Sequence, residues 1–134
     1  AARPTIDLEL LQAVVTHRYD VLAKYMKGLR QLAAEEFSRL KIEAREGRVM
    51  KRLLGEDRAA LAAPQKERLA ALLAQSEPLS RSYAMRAELE ALWARSAASH
   101  DQLVTQLQDW VARAEQSGIR QLEEFCMRLR RYAI

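Results

Sequence analysis

The chain has 134 residues, 49% hydrophobic and only 6% aromatic, with 22 basic and 18 acidic side chains and a formal net charge of +4. That length suits a single domain, expected over residues 5–133, and suffices to bury a core without disulfides or a metal. Cys126 is the only cysteine, which excludes an internal disulfide, and the longest apolar run, Leu69 to Ala74, is far shorter than the ~20 residues of a membrane span.

The first residues lack a signal-peptide pattern. An opening of Ala1-Ala2-Arg3-Pro4 in place of methionine fits a piece of a longer protein, and equally a chain whose methionine was removed before alanine. The modest positive surplus permits contact with an anionic membrane face or with nucleic acid and compels neither.

Alanine and leucine dominate a chain with few glycines and prolines. This profile predicts an all-α helical bundle, one long N-terminal helix packed against four or five shorter ones. The first helix is expected from about Asp7 into the low forties. Leu8, Leu11, Val15, Leu22, Met26, Leu29, Ala33, Phe37 and Leu40 recur there in steps of mostly three and four. Thr5 or Asp7 can cap its start, and Gly47 is the expected stop. At ~1.5 Å per residue such a helix extends roughly 50 Å.

A short helix over Arg48 to Leu54 should end at Gly55. Pro64 fits the first turn of the next helix, where its missing N–H does no harm, and that helix should bury Leu69, Leu72 and Leu73. Ser76-Glu77-Pro78 marks another boundary. The helix after it, Pro78 to Arg95, is expected to turn Leu79, Tyr83, Met85, Leu89, Leu92 and Trp93 inward. Ser99 followed by Gln102 is a capping-box pattern, opening a helix that buries Leu103, Leu107, Trp110 and Ala114. Ser117-Gly118 should end it. A last helix from near Ile119 should bury Leu122, Phe125, Cys126 and Leu129. The spacing predicts that Trp93, Trp110 and Phe125 are buried together where the last three helices meet.

No catalytic, cofactor-binding or metal-ligating set stands out. The Glu-x-x-His pattern of di-metal bundles is absent, since Val14 precedes His17 by three positions and Ala97 precedes His100 by three. His17 and Asp20 read as a surface pair. Glu35-Glu36 and Glu123-Glu124 are neighbours in sequence, so on a helix they point ~100° apart and form no acid/base pair. There is no glycine-rich phosphate loop and no nucleophile with a positioned base. The candidate contacts for an anionic surface are two basic clusters, Arg39, Lys41, Arg45, Arg48, Lys51 and Arg52, then Arg128, Arg130 and Arg131. Glu43 and Glu46 dilute the first cluster.

Three blocks carry a family resemblance. They are Leu10-Leu11-Gln12-Ala13-Val14 with His17-Arg18-Tyr19-Asp20-Val21 and Tyr25; Met85-Arg86 with Glu88-Leu89 and Leu92-Trp93; and Trp110 with Ala114-Glu115 and Ser117-Gly118-Ile119. From about Thr5 to Tyr132 the chain resembles the C-terminal region of proteobacterial membrane fatty-acid desaturases of the acyl-CoA or delta-9 type. The resemblance implies a non-catalytic, cytoplasmic helical module held at the membrane by its parent. Its partners would be the parent's membrane core, an anionic membrane surface or a protein such as an electron donor. The parent's two irons would sit in histidine boxes elsewhere, so no cofactor is expected in this chain.

The last fifty or so residues are also similar to the C-terminal end of DDE-type insertion-sequence transposases, where Leu-Trp, Trp, Ser-Gly-Ile and a final Leu-Arg occur in the same order. This second resemblance implies a helical part involved in DNA binding or assembly. The three carboxylates of such an enzyme belong to a mixed α/β core that this chain does not provide.

Overall fold

The computed structural model describes residues 6–94 and 98–133. Seven α-helices carry most of the described residues: α1 Leu8–Thr16, α2 Arg18–Arg39, α3 Ala44–Gly55, α4 Ala63–Leu73, α5 Glu77–Ala94, α6 His100–Glu115 and α7 Arg120–Leu129. Short 3₁₀ turns occupy Arg58–Ala60 and Arg130–Ala133. No strand occurs among the described residues, so the fold is all-α, as the composition predicts.

The chain packs as two compact units. One comprises residues 1–28 and 85–134, the other residues 29–84. The boundaries fall inside α2 and α5, so each of these helices serves both units.

In the first unit, α1 starts where the Asp7 side chain accepts from the Leu10 amide at 3.0 Å, filling the N-cap role. The expected long helix is interrupted at His17, whose φ of −101° and ψ of 28° leave the helical region. Val14-Val15-Thr16 precede the break, three β-branched residues that lose rotamer freedom in a helix and lower the cost of ending it there. The core beyond the break is aromatic. Tyr25, Trp110 and Phe125 meet with ring centroids 5.1 to 5.9 Å apart, two of the three pairs edge-to-face. The Trp110 indole donates to the Met85 carbonyl at 2.8 Å, satisfying a buried polar atom. Burial pushes the Tyr25 phenol above its ordinary range.

Trp93 does not join this cluster. It is only half-buried, and its indole nitrogen has no hydrogen-bond partner among the described residues. Tyr25, from the first half of α2, takes the place expected of Trp93. Cys126 is fully buried, as expected of a small hydrophobe on the inner face of α7. Ser99 accepts from the Gln102 amide at 3.2 Å while Gln102 returns to the Ser99 amide at 3.0 Å, the capping box read from the sequence.

In the second unit, α2 ends without a glycine. Lys41 sits at φ 57°, in the left-handed region, and the Ile42 amide reaches back to the Phe37 carbonyl at 2.9 Å. This is the six-residue closure of a Schellman turn, with lysine where glycine is the usual choice. Gly47, the expected stop, is instead an interior residue of α3. A Cβ there would lie 3.3 Å from the Phe37 ring, so Gly47 lets α3 approach α2 closely. The turn at Lys41 also moves the start of α3 upstream of the expected Arg48.

Ser76 opens α5: its hydroxyl accepts from the Leu79 amide at 3.2 Å and donates to Glu36 at 2.6 Å. Pro64 lies in the first turn of α4, as expected. The proposed Thr5 cap and the helix end at Arg95 fall outside the described residues.

Candidate functional site

The nine basic residues singled out from the sequence divide between the units. Arg39 through Arg52 lie in the second, and Arg128, Arg130 and Arg131 lie in the first.

In the second unit, α3 is sharply two-faced. Gly47, Met50, Leu53 and Leu54 are buried on one side. Arg45, Arg48 and Arg52, spaced i, i+3, i+7, are exposed on the other. At ~100° per residue the three arginines fall within about 60° of arc, opposite the buried face. Lys51 flanks this ridge, half-buried, and Lys41 is exposed at the turn before α3. None of these five cations makes an ion pair or a side-chain hydrogen bond among the described residues.

The two carboxylates that dilute the cluster in sequence are not on the ridge. Glu46 is drawn to α4, where Arg68 donates to both of its oxygens at 2.7 and 2.6 Å. Glu43 is the N-cap residue of α3 and makes no capping bond with its side chain. Pairing therefore removes Glu46 from the basic field and leaves the arginines unopposed along the helix.

Arg39 belongs to another arrangement. Its guanidinium donates to Glu36 at 2.9 to 3.3 Å, and Ser76 donates to the same carboxylate. Glu36 is buried. The Arg39 and Ser76 hydrogen bonds hold its carboxyl below the ordinary glutamate range. This triad fastens the end of α2 to the start of α5 within the unit. It is structural, and the sequence showed only two adjacent glutamates.

The first unit spends most of its cations internally. Arg130 donates to Glu115 at 2.9 and 3.1 Å, both side chains largely shielded from solvent. Arg113 reaches Glu88 at 2.7 and 3.0 Å and Asp109 at 2.9 Å. These three groups rim a shallow groove between α5 and α6 of about 520 Å³, floored by Leu92 and Trp110. Arg113 is neutralised there, so the groove is no anion site. Arg128 and Arg131 remain exposed and unpaired among the described residues.

The expected His17–Asp20 pair is replaced by a small polar cluster. Asp20 pairs with Lys24 at 3.0 Å and accepts from the Tyr132 hydroxyl. Lys24 also donates to that hydroxyl at 2.9 Å, and the His17 ring packs against the Tyr132 ring at 5.8 Å. No group of three or more His, Cys, Asp or Glu side chains is placed to hold a metal among the described residues.

A family model described as transposase, of the ISL3 type of DDE transposases, matches residues 10–134. The match covers nearly the whole chain, and the chain belongs to that family. No curated protein and no solved structure matches the chain.

The family match overturns the desaturase reading and what came with it: lipid metabolism, a membrane core or electron donor as partner, and attachment to a membrane through the parent. No helix among the described residues is long and apolar enough to cross a membrane. The reason for the wrong lead is physical. Leu89, Leu92, Trp110, Ala114 and Ile119, which carry much of the desaturase pattern, are buried packing residues. Such residues report how three consecutive helices pack and are silent about the enzyme to which the helices are attached.

Proposed function

We propose that this transposase-family chain is a helical, non-catalytic part of its parent that binds DNA, with the outward ridge of α3 as the contact. The observation that carries the reading is the set of cations at Lys41, Arg45, Arg48, Lys51 and Arg52, unpaired among the described residues, on one short stretch of helix and turn. Unpaired guanidinium groups suit phosphate oxygens, which they can bind in a bidentate manner, and each phosphate neutralised releases condensed counterions. Transposase membership supplies the polyanion on which such a ridge would act.

A role in binding rather than cleavage is supported by the state of the carboxylates. Glu36, Glu46, Glu88 and Glu115 are each held by an arginine at ion-pair distance. An enzyme of the DDE type needs carboxylates that converge on metal ions, and these four point to arginines instead.

The test is equilibrium binding of the chain to duplex DNA near physiological ionic strength. Dissociation constants in the range of about 1 to 100 µM are expected for contact of this kind. Absence of binding at the top of that range overturns the reading. Incubation of the same protein with DNA and either magnesium or manganese should leave the strands intact, and cleavage would show that the chain carries chemistry of its own.

A further inference from the structure

We propose that the α3 ridge is a sequence-blind clamp on the backbone of duplex DNA, lying along one strand side-on instead of entering a groove by its tip. The inference rests on the reading that α3 is the DNA contact, and it adds what α3 recognises there.

The first argument is the chemistry of the face. Arg45, Arg48 and Arg52 form the ridge, with Lys51 beside it. Adenine readout relies on Asn or Gln, and the chain has no asparagine. Arginine can also pair with guanine, so the chemistry of the face excludes adenine readout and the approach of the helix decides the rest. The glutamines of the second unit are Gln31, Gln65 and Gln75, and none is on α3. Gln65 accepts from the Ala62 amide at 2.9 Å and Gln75 donates to the Ala71 carbonyl at 3.5 Å, so both serve their own backbone.

The second argument is the end of the helix. Recognition helices present their N-terminal residues to base edges in the major groove. The N-terminus of α3 carries Glu43 as N-cap and Glu46 in the first turn. Arg68 takes up Glu46, and the exposed Glu43 carboxylate at the tip would be repelled by the phosphates lining a groove. Approached from the side, the same helix offers only its arginines.

The third argument selects duplex over single strand. Proteins that hold single strands stack bases on exposed aromatic rings. The second unit has two aromatic residues, Phe37 and Tyr83, and both are buried. It has no platform for an unpaired base.

The fourth argument is reach. Arg45 to Arg52 spans about 10 Å of helix axis at ~1.5 Å per residue. A DNA strand advances ~3.4 Å along the duplex axis per phosphate but follows a longer path around it, so the ridge with its long side chains reaches about two to three phosphates of one strand. Arginine suits this task because its planar fork grips a phosphate with two parallel hydrogen bonds.

The experiment measures binding by fluorescence anisotropy across a range of salt. The probes are two short duplexes of unrelated sequence and a single strand of the same length. The proteins are the wild-type chain, R45Q/R48Q/R52Q and R45K/R48K/R52K. All three substituted side chains are exposed. Coincident thermal melting curves will verify that the fold is kept.

The expected result is equal affinity for the two duplexes and weaker binding to the single strand. The slope of log affinity against log salt should fall by about 2.7 in the glutamine variant, at ~0.9 per lost phosphate contact. The lysine variant should keep the slope. If the wild type binds no duplex, the proposed function fails. If it binds duplex but the glutamine variant keeps the wild-type slope, the clamp fails and α3 is not the contact, while DNA binding by the chain stands. A wild-type preference between the duplexes that vanishes in the glutamine variant would mean base readout, and preference for the single strand would mean a different ligand. Either overturns the clamp.

Discussion

In the unit formed by residues 1–28 and 85–134, arginines that face a neighbouring helix end on carboxylates: Arg113 on Glu88 and Asp109, and Arg130 on Glu115. In the unit formed by residues 29–84, Arg45, Arg48 and Arg52 end on nothing described. The same residue type therefore has two uses. Where a carboxylate lies across the helix interface, arginine closes the packing. Where α3 turns its back on its own core, arginine is left for a partner. Density of basic residues in the sequence does not separate these cases, because Arg128, Arg130 and Arg131 look like one cluster until Arg130 is seen paired. If the contrast is real, substitutions in the first unit should register in stability and substitutions on α3 in binding.

The largest expected effect lies in the aromatic core. Trp110 is essentially fully buried against Tyr25 and Phe125 and donates to Met85. Trp110→Ala should destabilise the protein by about 3–5 kcal/mol. The Arg45, Arg48 and Arg52 substitutions, exposed and away from any core contact, should each stay within about 0.5 kcal/mol of wild type. Chemical denaturation of both sets checks this. A large loss of stability from the arginine substitutions would break the contrast, since those side chains would then be holding the fold.

A middle-sized effect belongs to Glu36. It is buried, with Arg39 and Ser76 donating to its charged form, and its carboxyl lies below the ordinary range. A carboxyl depressed in the folded state contributes stability above its unfolded value of about 4.3 and loses that contribution as pH falls through the folded value. Glu36→Gln should therefore cost about 1–3 kcal/mol at neutral pH, as expected for loss of hydrogen bonds to a charged group. It should also flatten the fall in stability between about pH 5 and pH 3. Denaturant midpoints of both proteins across that range test it. Parallel pH profiles would show that Glu36 does not couple the two helices through its charge.

Legibility in the sequence followed the range of the interactions. Helices with strong local signals were visible: the Ser99 capping box, Pro64 in the first turn of α4, and the periodic apolar faces of α6 and α7. The breaks at His17 and Lys41 were not visible, because neither carries the glycine or proline that marks a boundary. Gly47 misled for the complementary reason, since its lack of a side chain serves close packing against Phe37 instead of a turn. Trp93 was misassigned because periodicity gives a face, while the filling of a core depends on which neighbour arrives, and Tyr25 arrives from far along the chain. The basic cluster was visible as composition. That Glu46 leaves it and Arg39 is spoken for depends on Arg68 and Ser76, both distant in sequence.

The smallest effect joins both sides of the comparison in one residue. Lys41 occupies the left-handed region at φ 57°, where a side chain with a Cβ costs about 1–2 kcal/mol. Glycine there relieves that strain but loses more freedom on folding, which returns about 0.5–1 kcal/mol. Lys41→Gly should therefore stabilise the protein by about 0.5–1 kcal/mol, read as a modest rise in melting temperature. Lys41 is also an exposed, unpaired cation at the entrance to α3. If it touches a phosphate, the same substitution should lower the salt slope of DNA binding by about 0.9. Lys41→Ala separates the two effects, since it removes the charge while keeping the strain. It should match the glycine variant in binding and fall short of it in stability. A glycine variant that gains stability and keeps the full slope would place Lys41 outside the DNA contact and confine the clamp to α3 itself.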